Sequence, residues 1–460
     1  MSSIKALARL VKELEDQLVV CMRCGLCQAV CPLFAETGRE ADVARGKLAL
    51  LDGLAREIFE NPRGVQDRLA RCLLCGSCAA NCPSGVKVLD IFIKARAILA
   101  GYLGLPPWKK ALFRRVLSKP EFFNRVLAWG ARFQGIFIKP VDDLLGSSCS
   151  RFLSPLLRGR HLKPLAPVPL HRQAPTLNTP PGAAGLKVAF FVGCLIDKVF
   201  PQVGEAVLKI LDHHGVGVYL PQDQGCCGIP ALSSGDTVAF ERLLRHNLEI
   251  FGSVPFDHLL TACATCTSTI KKMWPLMGQE YGEAEQARIA ALADKVLDIS
   301  QFLADQVGLA PGGPEGVGDK VPITYHDPCH LKKSLDVAAQ PRALIRANPR
   351  YELREMAEAD WCCGCGGSFN LQHYEISAAI GRRKRDNVLN SGAAAVATGC
   401  PACMLQLTDM LSRAGARVIV KHTAEIYAET LPGPQEGYGS RPSDPGKIIG
   451  SKRWRRRSRD

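Results

Sequence analysis

The apolar positions at the start of the chain follow a helical period. Between residues 3 and 20 they recur three or four positions apart, at Ile4, Leu7, Val11, Leu14 and Leu18. Because residues at that spacing share one face of a helix, the pattern predicts an amphipathic helix. That helix can pack on the region that follows it, or it can serve as a docking helix for a partner protein.

The second half of the chain alternates short apolar runs with helical patterns. Two of these runs lead directly into a cysteine, VAFFVGC at Cys194 and VPITYHDPC at Cys329. Alternation of strands and helices predicts parallel α/β units, whose sites lie at the carboxyl ends of the strands. We predict one unit over residues 187–310 and another over 321–432, with the Gly/Pro-rich stretch 310–320 as the boundary loop.

The two units contain the same cysteine pattern. Each has a lone cysteine, a Cys-Cys-Gly triplet and a C-x-x-C pair, and the second copy follows the first at an offset of about 136 residues. Five cysteines that recur in order indicate an internal duplication. The first set is Cys194, Cys226, Cys227, Cys263 and Cys266, and the second is Cys329, Cys362, Cys363, Cys400 and Cys403.

Composition adds information on class and location. The 460 residues carry a formal charge of +14 and 20 cysteines. No signal-peptide pattern precedes the first cysteines, and no apolar run reaches the ~20 residues of a membrane span. We therefore expect a cytoplasmic protein that is not transmembrane, with reduced cysteines as metal ligands or reactive thiols. Peripheral contact with the inner face of the cytoplasmic membrane is compatible with this pattern.

The positive charge is concentrated in the tail. Residues 433–460 are rich in Pro, Gly and Ser and end in KRWRRRSRD, so we predict a disordered basic tail. That tail is either solvated or in contact with acidic lipid or an acidic partner. The rest of the chain is only mildly basic, and nucleic-acid binding is not indicated. Residues 101–186 are predicted as a helical segment followed by a Pro-rich linker.

The string C-x2-C-x2-C-x3-C-P occurs twice near the N-terminus. It is the pattern of two-cluster ferredoxins, in which the fourth cysteine of each string binds the other [4Fe–4S] cluster. We therefore assign four cysteines to each centre, and a structural zinc site would not require this arrangement twice. The first centre has Cys21, Cys24, Cys27 and Cys82, and the second has Cys72, Cys75, Cys78 and Cys31.

The overall prediction is an α+β multidomain protein. An N-terminal α-helical ferredoxin domain over residues 1–100 is followed by two tandem α/β cysteine-rich domains. Five soft ligands in each of these domains favour an iron–sulfur group over magnesium or calcium. Zinc, which takes four ligands, and a reactive dithiol remain as alternatives. Cys149 fits no pattern and is predicted to be a free thiol, while Cys365 is an additional cysteine in the second copy.

The combination of motifs resembles a known family. Two C-x2-C-x2-C-x3-C-P strings followed by two Cys-Cys-Gly domains resemble the iron–sulfur subunit of glycolate oxidase and its D-lactate dehydrogenase relatives, over roughly residues 15–430. The Cys-Cys-Gly domains also resemble the catalytic subunit of heterodisulfide reductase, and this implies non-cubane [4Fe–4S] clusters on both five-cysteine sets. The anchoring subunit of glycerol-3-phosphate dehydrogenase shares the architecture.

The resemblance implies an oxidoreductase subunit that transfers electrons. No dinucleotide-binding fingerprint is present, so we expect the flavin to be on a partner flavoprotein and this chain alone not to oxidise hydroxy acids. The acceptor would be a quinone or another, membrane-bound, electron carrier. The alternatives are disulfide reduction at a Cys-Cys-Gly cluster and a zinc-filled anchoring subunit. His326, Asp327 and His330 flank Cys329 and form either a structural polar cluster or a group that tunes its cluster.

Overall fold

The N-terminal part of the chain is entirely helical. The computed structural model describes residues 4–59, 61–151, 159–309 and 319–432. Leu7 and Val11 are fully buried in the core, so the predicted amphipathic helix packs on its own domain. The helices of this part, which also contains a 3₁₀ turn at Glu40–Asp42, are α1 (Ile4–Lys12), α2 (Glu15–Leu18), α3 (Leu26–Ala29), α4 (Pro32–Thr37), α5 (Ala44–Ala55), α6 (Pro62–Ala70), α7 (Ser77–Ala80) and α8 (Val88–Leu103).

A connecting region follows. It contains the helical residues predicted from the sequence, and its last strand, β3, pairs antiparallel with a strand of the first repeat. Part of the segment expected to be a linker therefore extends a sheet. Its elements are α9 (Pro107–Ala111), a π-helical turn at Leu112–Leu117, α10 (Pro120–Phe137), β1 (Ile138–Asp142), β2 (Ser147–Ser150), α11 (Leu170–Gln173) and β3 (Leu177–Asn178).

The first cysteine repeat alternates strands and helices as predicted. Its strands are short and apolar, and β4 is almost completely buried. The elements, with π-helical turns at Thr269–Met273 and Leu303–Val307, are β4 (Lys187–Phe191), α12 (Cys194–Lys198), α13 (Pro201–His213), β5 (Gly217–Leu220), α14 (Ile229–Leu232), α15 (Thr237–Phe251), β6 (His258–Thr261), α16 (Ala264–Ser268), α17 (Trp274–Gly278), α18 (Glu283–Asp294), β7 (Val296–Asp298) and α19 (Ile299–Phe302).

The second cysteine repeat has the same order of elements, except that the single helix α24 (Pro401–Arg413) stands where the first repeat has α16 to α18. Its elements are β8 (Val321–Tyr325), α20 (Cys329–Leu335), α21 (Ala339–Arg346), β9 (Tyr351–Leu353), α22 (Ser368–Gln372), α23 (Tyr374–Asn390), β10 (Ala395–Thr398), α24, β11 (Ile419–His422) and α25 (Thr423–Ala428). The tail 433–460 and most of the boundary loop 310–320 lie outside the described residues.

Sheet topology repeats as well. The first sheet runs β3-β5-β4-β6-β7 and the second β9-β8-β10-β11, so that, without β3, both have the order 2-1-3-4 of parallel strands. Residues such as Phe190 and Leu260 are paired across the first sheet. In a parallel sheet all carboxyl ends lie at one edge, and each repeat places its cysteines there. The mixed α/β architecture with an N-terminal helical domain agrees with the prediction.

Side chains from one repeat reach the other. The Lys209 ammonium on α13 donates hydrogen bonds to the carbonyls of Ala428 and Leu431, at 2.8 and 2.9 Å. The ring of His214 stacks on Tyr427 with the centroids 6.0 Å apart. The two repeats are therefore packed against each other. In the described ranges no helix is both long and apolar enough to cross a bilayer.

Candidate metal centres

The two ferredoxin motifs have the same backbone. Arg23 and Leu74, which occupy the same position in each motif, have φ angles of 58° and 55°. Such left-handed angles are uncommon in side-chain-bearing residues and are retained where the surroundings require them. Each loop then enters a one-turn helix, α3 or α7. In the second loop the Leu74 N–H points to the Cys72 Sγ at 3.5 Å. Both loops thus wrap around a centre in the same way.

The second centre lies beside a cavity lined by Cys31, Cys72, Cys75 and Cys78. Cys31 comes from the first motif, and the other three come from the second. Burial raises the pKa of the Cys31 thiol to about 11, and the neighbouring Cys75 and Cys72 thiols add to the rise. Four thiols around one cavity are the donor set that a [4Fe–4S] cluster requires, so these residues fit the group.

The first centre is closer to the surface. Cys24 is exposed, while Cys21, Cys27 and Cys82 are half-buried. Burial raises the pKa of the Cys27 thiol, and the nearby Cys21 thiol contributes to the rise. The loop also exposes large apolar side chains, with Met22 and Leu26 67% and 54% exposed. This centre is therefore the more accessible of the two to another protein.

The first repeat brings its five cysteines together. The Sγ atoms of Cys194 and Cys226 are 3.9 Å apart. The Cys227 thiol interacts with Cys226 and Cys266, and hydrogen bonding with these two lowers its pKa. Cys266 also interacts with Cys263. The adjacent Gly228 has a φ of 92°, and a Cβ there would lie 2.6 Å from the Phe240 ring. Glycine is therefore required for the turn that follows the cysteine pair.

The second repeat forms the equivalent set. Cys362 interacts with Cys329 and Cys363, and Cys363 interacts with Cys403. Cys403 in turn interacts with Cys400. Ligand atoms of His326, Cys363 and Cys403 all lie within 4.8 Å of one another, which is close enough to share a metal ion. The set is also more buried than the first, because Cys194 is half-buried while its counterpart Cys329 is buried.

The separate sets connect to one another. Cys263 of the first repeat interacts with Cys400 of the second. Cys362 of the second repeat interacts with Cys75 of the ferredoxin motif, and this hydrogen bond, together with the Lys333 ammonium, lowers the pKa of Cys75 to about 5. A continuous line of cysteine sulfurs therefore runs from the second ferredoxin motif through the second repeat into the first. We call it the sulfur line.

Polar side chains hold the second repeat against the ferredoxin domain. A ring nitrogen of His330 contacts the Leu74 carbonyl at 3.1 Å, and Lys333 donates to the Ser77 hydroxyl at 2.7 Å. Asp327 has a different role, since the Arg342 guanidinium binds its carboxylate at 2.8 and 2.9 Å. Of the three polar residues beside Cys329, Asp327 is thus held in an ion pair, His326 adjoins the cysteines and His330 contacts the neighbouring domain.

Arg96 is a site residue that sequence reasoning missed. Its buried guanidinium donates to the carbonyls of Leu69, Cys72 and Ser233, at 2.6, 2.8 and 2.7 Å. It therefore fixes the start of the second ferredoxin motif and joins it to the first repeat. The sequence gives little signal for this role, because Arg96 is one of three charged residues in the mostly apolar helix α8, with Asp90 and Lys94.

A cavity adjoins the outer end of the sulfur line. Its wall includes Cys194 and Cys226, with Leu117, Pro120 and Phe123 from the connecting region. A polar cluster lines one side, where Asp197 accepts a hydrogen bond from His171 at 2.9 Å and pairs with Lys198 at 2.6 Å. The first set of cysteines therefore borders this cavity.

Cys149 and Cys365 lie apart from these interactions in different ways. Cys149 is on β2, opposite Lys139 of β1. Cys365 is near Cys363, and burial raises the pKa of its thiol. The first repeat has no counterpart of Cys365, because Ile229 occupies that position.

Comparison with known families matches two kinds of domain. A 4Fe-4S dicluster domain covers residues 17–86, and a cysteine-rich domain is matched twice, over 188–271 and 323–408. These matches agree with the ferredoxin motifs and with the duplicated cysteine pattern. They support iron–sulfur clusters as the bound groups.

Three relatives span different parts of the chain. A probable glycolate oxidase iron–sulfur subunit of Bacillus subtilis is 30% identical over 431 residues, which are 90% of this chain and 94% of the relative. One of the subunits of the fumarate reductase (CoM/CoB) of Methanothermobacter marburgensis is 30% identical over 83% of this chain and 77% of its own. Lactate utilization protein A of an Exiguobacterium species is 30% identical over 53% of this chain and 97% of its own.

The motifs, the repeated fold and these relatives agree on one class of protein. The chain is an iron–sulfur protein related to subunits named for glycolate oxidation and lactate utilization, a class of electron-transport oxidoreductases. With 30% identity across 94% of a relative, the resemblance stated from the sequence is confirmed. The chain belongs to the family of glycolate oxidase iron–sulfur subunits.

Proposed function

We propose that this chain is the electron-transfer subunit of a flavin-dependent dehydrogenase of a 2-hydroxy acid, glycolate or D-lactate. A partner flavoprotein oxidises the acid, and this chain passes the electrons to a quinone or another acceptor. The observation that carries the proposal is the sulfur line, because it connects the half-buried second ferredoxin motif with the cysteines of both repeats. Clusters bound to these cysteines would supply one-electron carriers for the two electrons of a reduced flavin.

The two ends of the proposed electron path, the first ferredoxin centre and the first repeat, differ in their surroundings, and this difference supports a direction of electron flow. The first ferredoxin centre has the exposed Cys24 and apolar side chains around it, which suits contact with a protein donor. The other end, at Cys194 and Cys226, adjoins the cavity. We infer that electrons pass from the flavoprotein to the first centre, then to the second centre, the second repeat and the first repeat. The acceptor then takes them at the cavity.

The protein residues between these ends protect and position the cysteines. Cys227, Cys363 and Cys400 are each 2% exposed, so water is largely excluded from the middle of the sulfur line. His330, Lys333 and Arg96 fix the ferredoxin domain against the repeats. Under this proposal their role is to keep neighbouring centres at a constant separation.

A second function is supported by a relative. One relative is named as a subunit of fumarate reductase (CoM/CoB), and its similarity covers 83% of this chain. The cavity beside Cys194 could then admit a disulfide or a pair of thiols in place of a quinone. The two functions differ in the substrate at the cavity and share the same line of cysteines.

Co-purification from the native host tests the proposal. A tagged full-length chain, isolated anaerobically, should bring down a flavoprotein, and glycolate or D-lactate should bleach the visible absorption of the clusters. The chain expressed alone should show no bleaching with either acid. Bleaching by thiols, and its reversal by disulfides, would favour the second function. A chain that carries zinc and no iron would exclude both functions and leave an anchoring role.

A further inference from the structure

Exposed apolar side chains are concentrated in one short part of the chain. Of the twenty-two large apolar side chains that are exposed among the described residues, nine lie between positions 108 and 144. Isolated exposed apolar residues are ordinary, but a cluster of this kind marks an interaction surface. The nine are Trp108, Leu112, Phe122, Val126, Trp129, Ile136, Phe137, Val141 and Leu144.

Helix α10 carries five of these nine residues, and they form a stripe along it. Phe122, Val126, Trp129 and Ile136 recur at intervals of four, three and seven residues, which places them on one face of the helix. Trp129 is 64% exposed and Ile136 is 57% exposed, and the helix contains no buried residue. The rings of Trp129 and Phe133 are 5.1 Å apart along the same face. We call Phe122, Val126, Trp129, Ile136 and Phe137 the α10 stripe.

The surroundings of the α10 stripe are basic. Between residues 108 and 144 there are eight Lys or Arg residues against three acids, Glu121, Asp142 and Asp143. Glu121 pairs with Arg125, and Arg114 pairs with Asp236. Five of the remaining cations are exposed and, in the part of the chain that the structure describes, form no ion pair: Lys110, Arg115, Lys119, Arg132 and Lys139. A positive net charge therefore accompanies the exposed aromatic face.

We propose that the α10 stripe docks this protein on an anionic lipid surface. An amphipathic helix with Trp and Phe on one face and Lys or Arg beside it is the arrangement that lies in the membrane interface. Charge complementarity favours anionic lipid, since each cation near such a surface adds to binding. The helix, 18 residues long, does not meet the requirements of a membrane span, so it lies along the surface.

The same helix connects this surface to the cavity. Pro120 and Phe123, in the first turn of α10, line the space that also reaches Cys194 and Cys226. A membrane beneath the α10 stripe would thus lie next to the outer end of the sulfur line. If the proposed function holds, an apolar acceptor dissolved in the bilayer could enter there. The docking itself does not depend on that function.

Vesicle flotation of the purified full-length chain, with its clusters, tests the docking. The protein should float with vesicles of phosphatidylglycerol and phosphatidylcholine, and much less with phosphatidylcholine alone. Replacing two residues of the stripe, Trp129→Glu with Ile136→Glu, should lower the bound fraction by about tenfold or more, because two large apolar contacts are lost. The matched control is Leu371→Glu with Leu389→Glu, two residues of the second repeat that are 55% and 40% exposed, and it should bind normally.

A second variant isolates the electrostatic part. Arg132→Gln with Lys139→Gln should weaken binding to the anionic vesicles, and added salt should weaken wild-type binding in the same way. Equal binding of wild type and the Trp129→Glu, Ile136→Glu variant would overturn the proposal. So would a wild-type dimer that this variant converts to a monomer, because the stripe would then be a contact between two copies. Loss of the flavoprotein partner in the variant, with vesicle binding retained, would likewise reassign the stripe.

Discussion

The two cysteine repeats share a topology but differ in their surroundings. In the second repeat, Cys362 contacts Cys75 of the ferredoxin domain, and His326 lies beside Cys363. In the first repeat, the residue equivalent to His326 is Phe191, which packs on Phe251. The first repeat instead borders a cavity. Duplication thus produced an inner site, which is enclosed by protein and has a histidine beside its cysteines, and an outer site, which borders a cavity.

The contacts with the ferredoxin domain differ in kind as well. The second repeat contacts the ferredoxin domain through Cys362, His330 and Lys333. The first repeat meets that domain at the Ser233 carbonyl, which accepts a hydrogen bond from Arg96. The two backbones also approach closely there, since a Cβ on Gly235 would lie 2.6 Å from the Arg96 carbonyl oxygen. Both interfaces are held by hydrogen bonds, and only the interface with the second repeat also brings cysteines of the two domains together.

The largest expected effect comes from breaking the inner site. Cys362→Ser removes the thiol that joins the second repeat to Cys75, so neither repeat should be reduced from the ferredoxin centres. Cys226→Ser, the equivalent change in the first repeat, should leave the second repeat reducible and stop only the reduction of the acceptor. Rapid-freeze EPR of the complex, mixed with its hydroxy acid, would separate the two results.

Cys149→Ser is the control for both variants, since Cys149 lies on β2 among none of the cysteine sets. In this variant all centres should be reduced at the wild-type rate. The assignment of the second repeat as the inner site and the first repeat as the outer site would be wrong if Cys226→Ser blocked reduction of the second repeat.

Arg96 is expected to give the largest change in stability. Arg96→Leu leaves the buried carbonyls of Leu69, Cys72 and Ser233 without this donor. Because unsatisfied buried polar groups are costly, we expect a loss of about 2–4 kcal/mol in the free energy of unfolding. Lys333→Met, which removes one hydrogen bond at the other interface, should cost about 1 kcal/mol. Denaturant titration of the cluster-loaded proteins measures both, and equal losses would contradict the distinction between the interfaces.

His326→Phe converts the inner site toward the outer one. The ring of His326 interacts with the Cys363 thiol and contributes to lowering its pKa. Loss of this polar interaction with the thiolate should make the reduction potential of the second repeat more negative by roughly 40 mV, which is about 1 kcal/mol for one electron. An EPR-monitored redox titration checks this. The potentials of the ferredoxin centres serve as internal references, and a shift in all centres would show a general disturbance instead.

The smallest effect is expected at Cys365. Its equivalent in the first repeat is Ile229, so Cys365 is not part of the five-cysteine pattern that the two repeats share. Cys365→Ile should therefore leave the iron and sulfide content of the purified protein unchanged. Loss of iron equivalent to one cluster would make Cys365 a ligand, and the two repeats would then hold different groups.

The sequence predicted much of this architecture. The constant offset between the cysteines predicted two similar units, and the apolar runs before Cys194 and Cys329 are the strands β4 and β8. The shared strand order follows from the repeat because equal patterns fold alike. The family was also recognisable from the motifs alone, as the relatives confirm. The assignment of individual cysteines to clusters stays a prediction.

The contacts between units were not predictable. Cys75 and Cys362 are 287 positions apart, and nothing in either motif specifies which surface meets the other. The contact of Cys263 with Cys400 depends in the same way on the packing of two folded units. Local periodicity reports which face of an element is buried, but not against which distant element it is buried. Arg96 was missed for that reason, since its acceptors lie in two distant segments, around residues 69–72 and at Ser233.

The burial of the sulfur line also constrains how this protein is made. Cys227, Cys363 and Cys400 lie in the interior, and the contacts around them join segments from all parts of the chain. Preassembled clusters are too large to diffuse through a close-packed interior, so they must be inserted before the units close on one another. If clusters bind to these cysteines as proposed, maturation and folding are a single process in this chain. The supply of iron and sulfide during synthesis then sets the yield of competent protein.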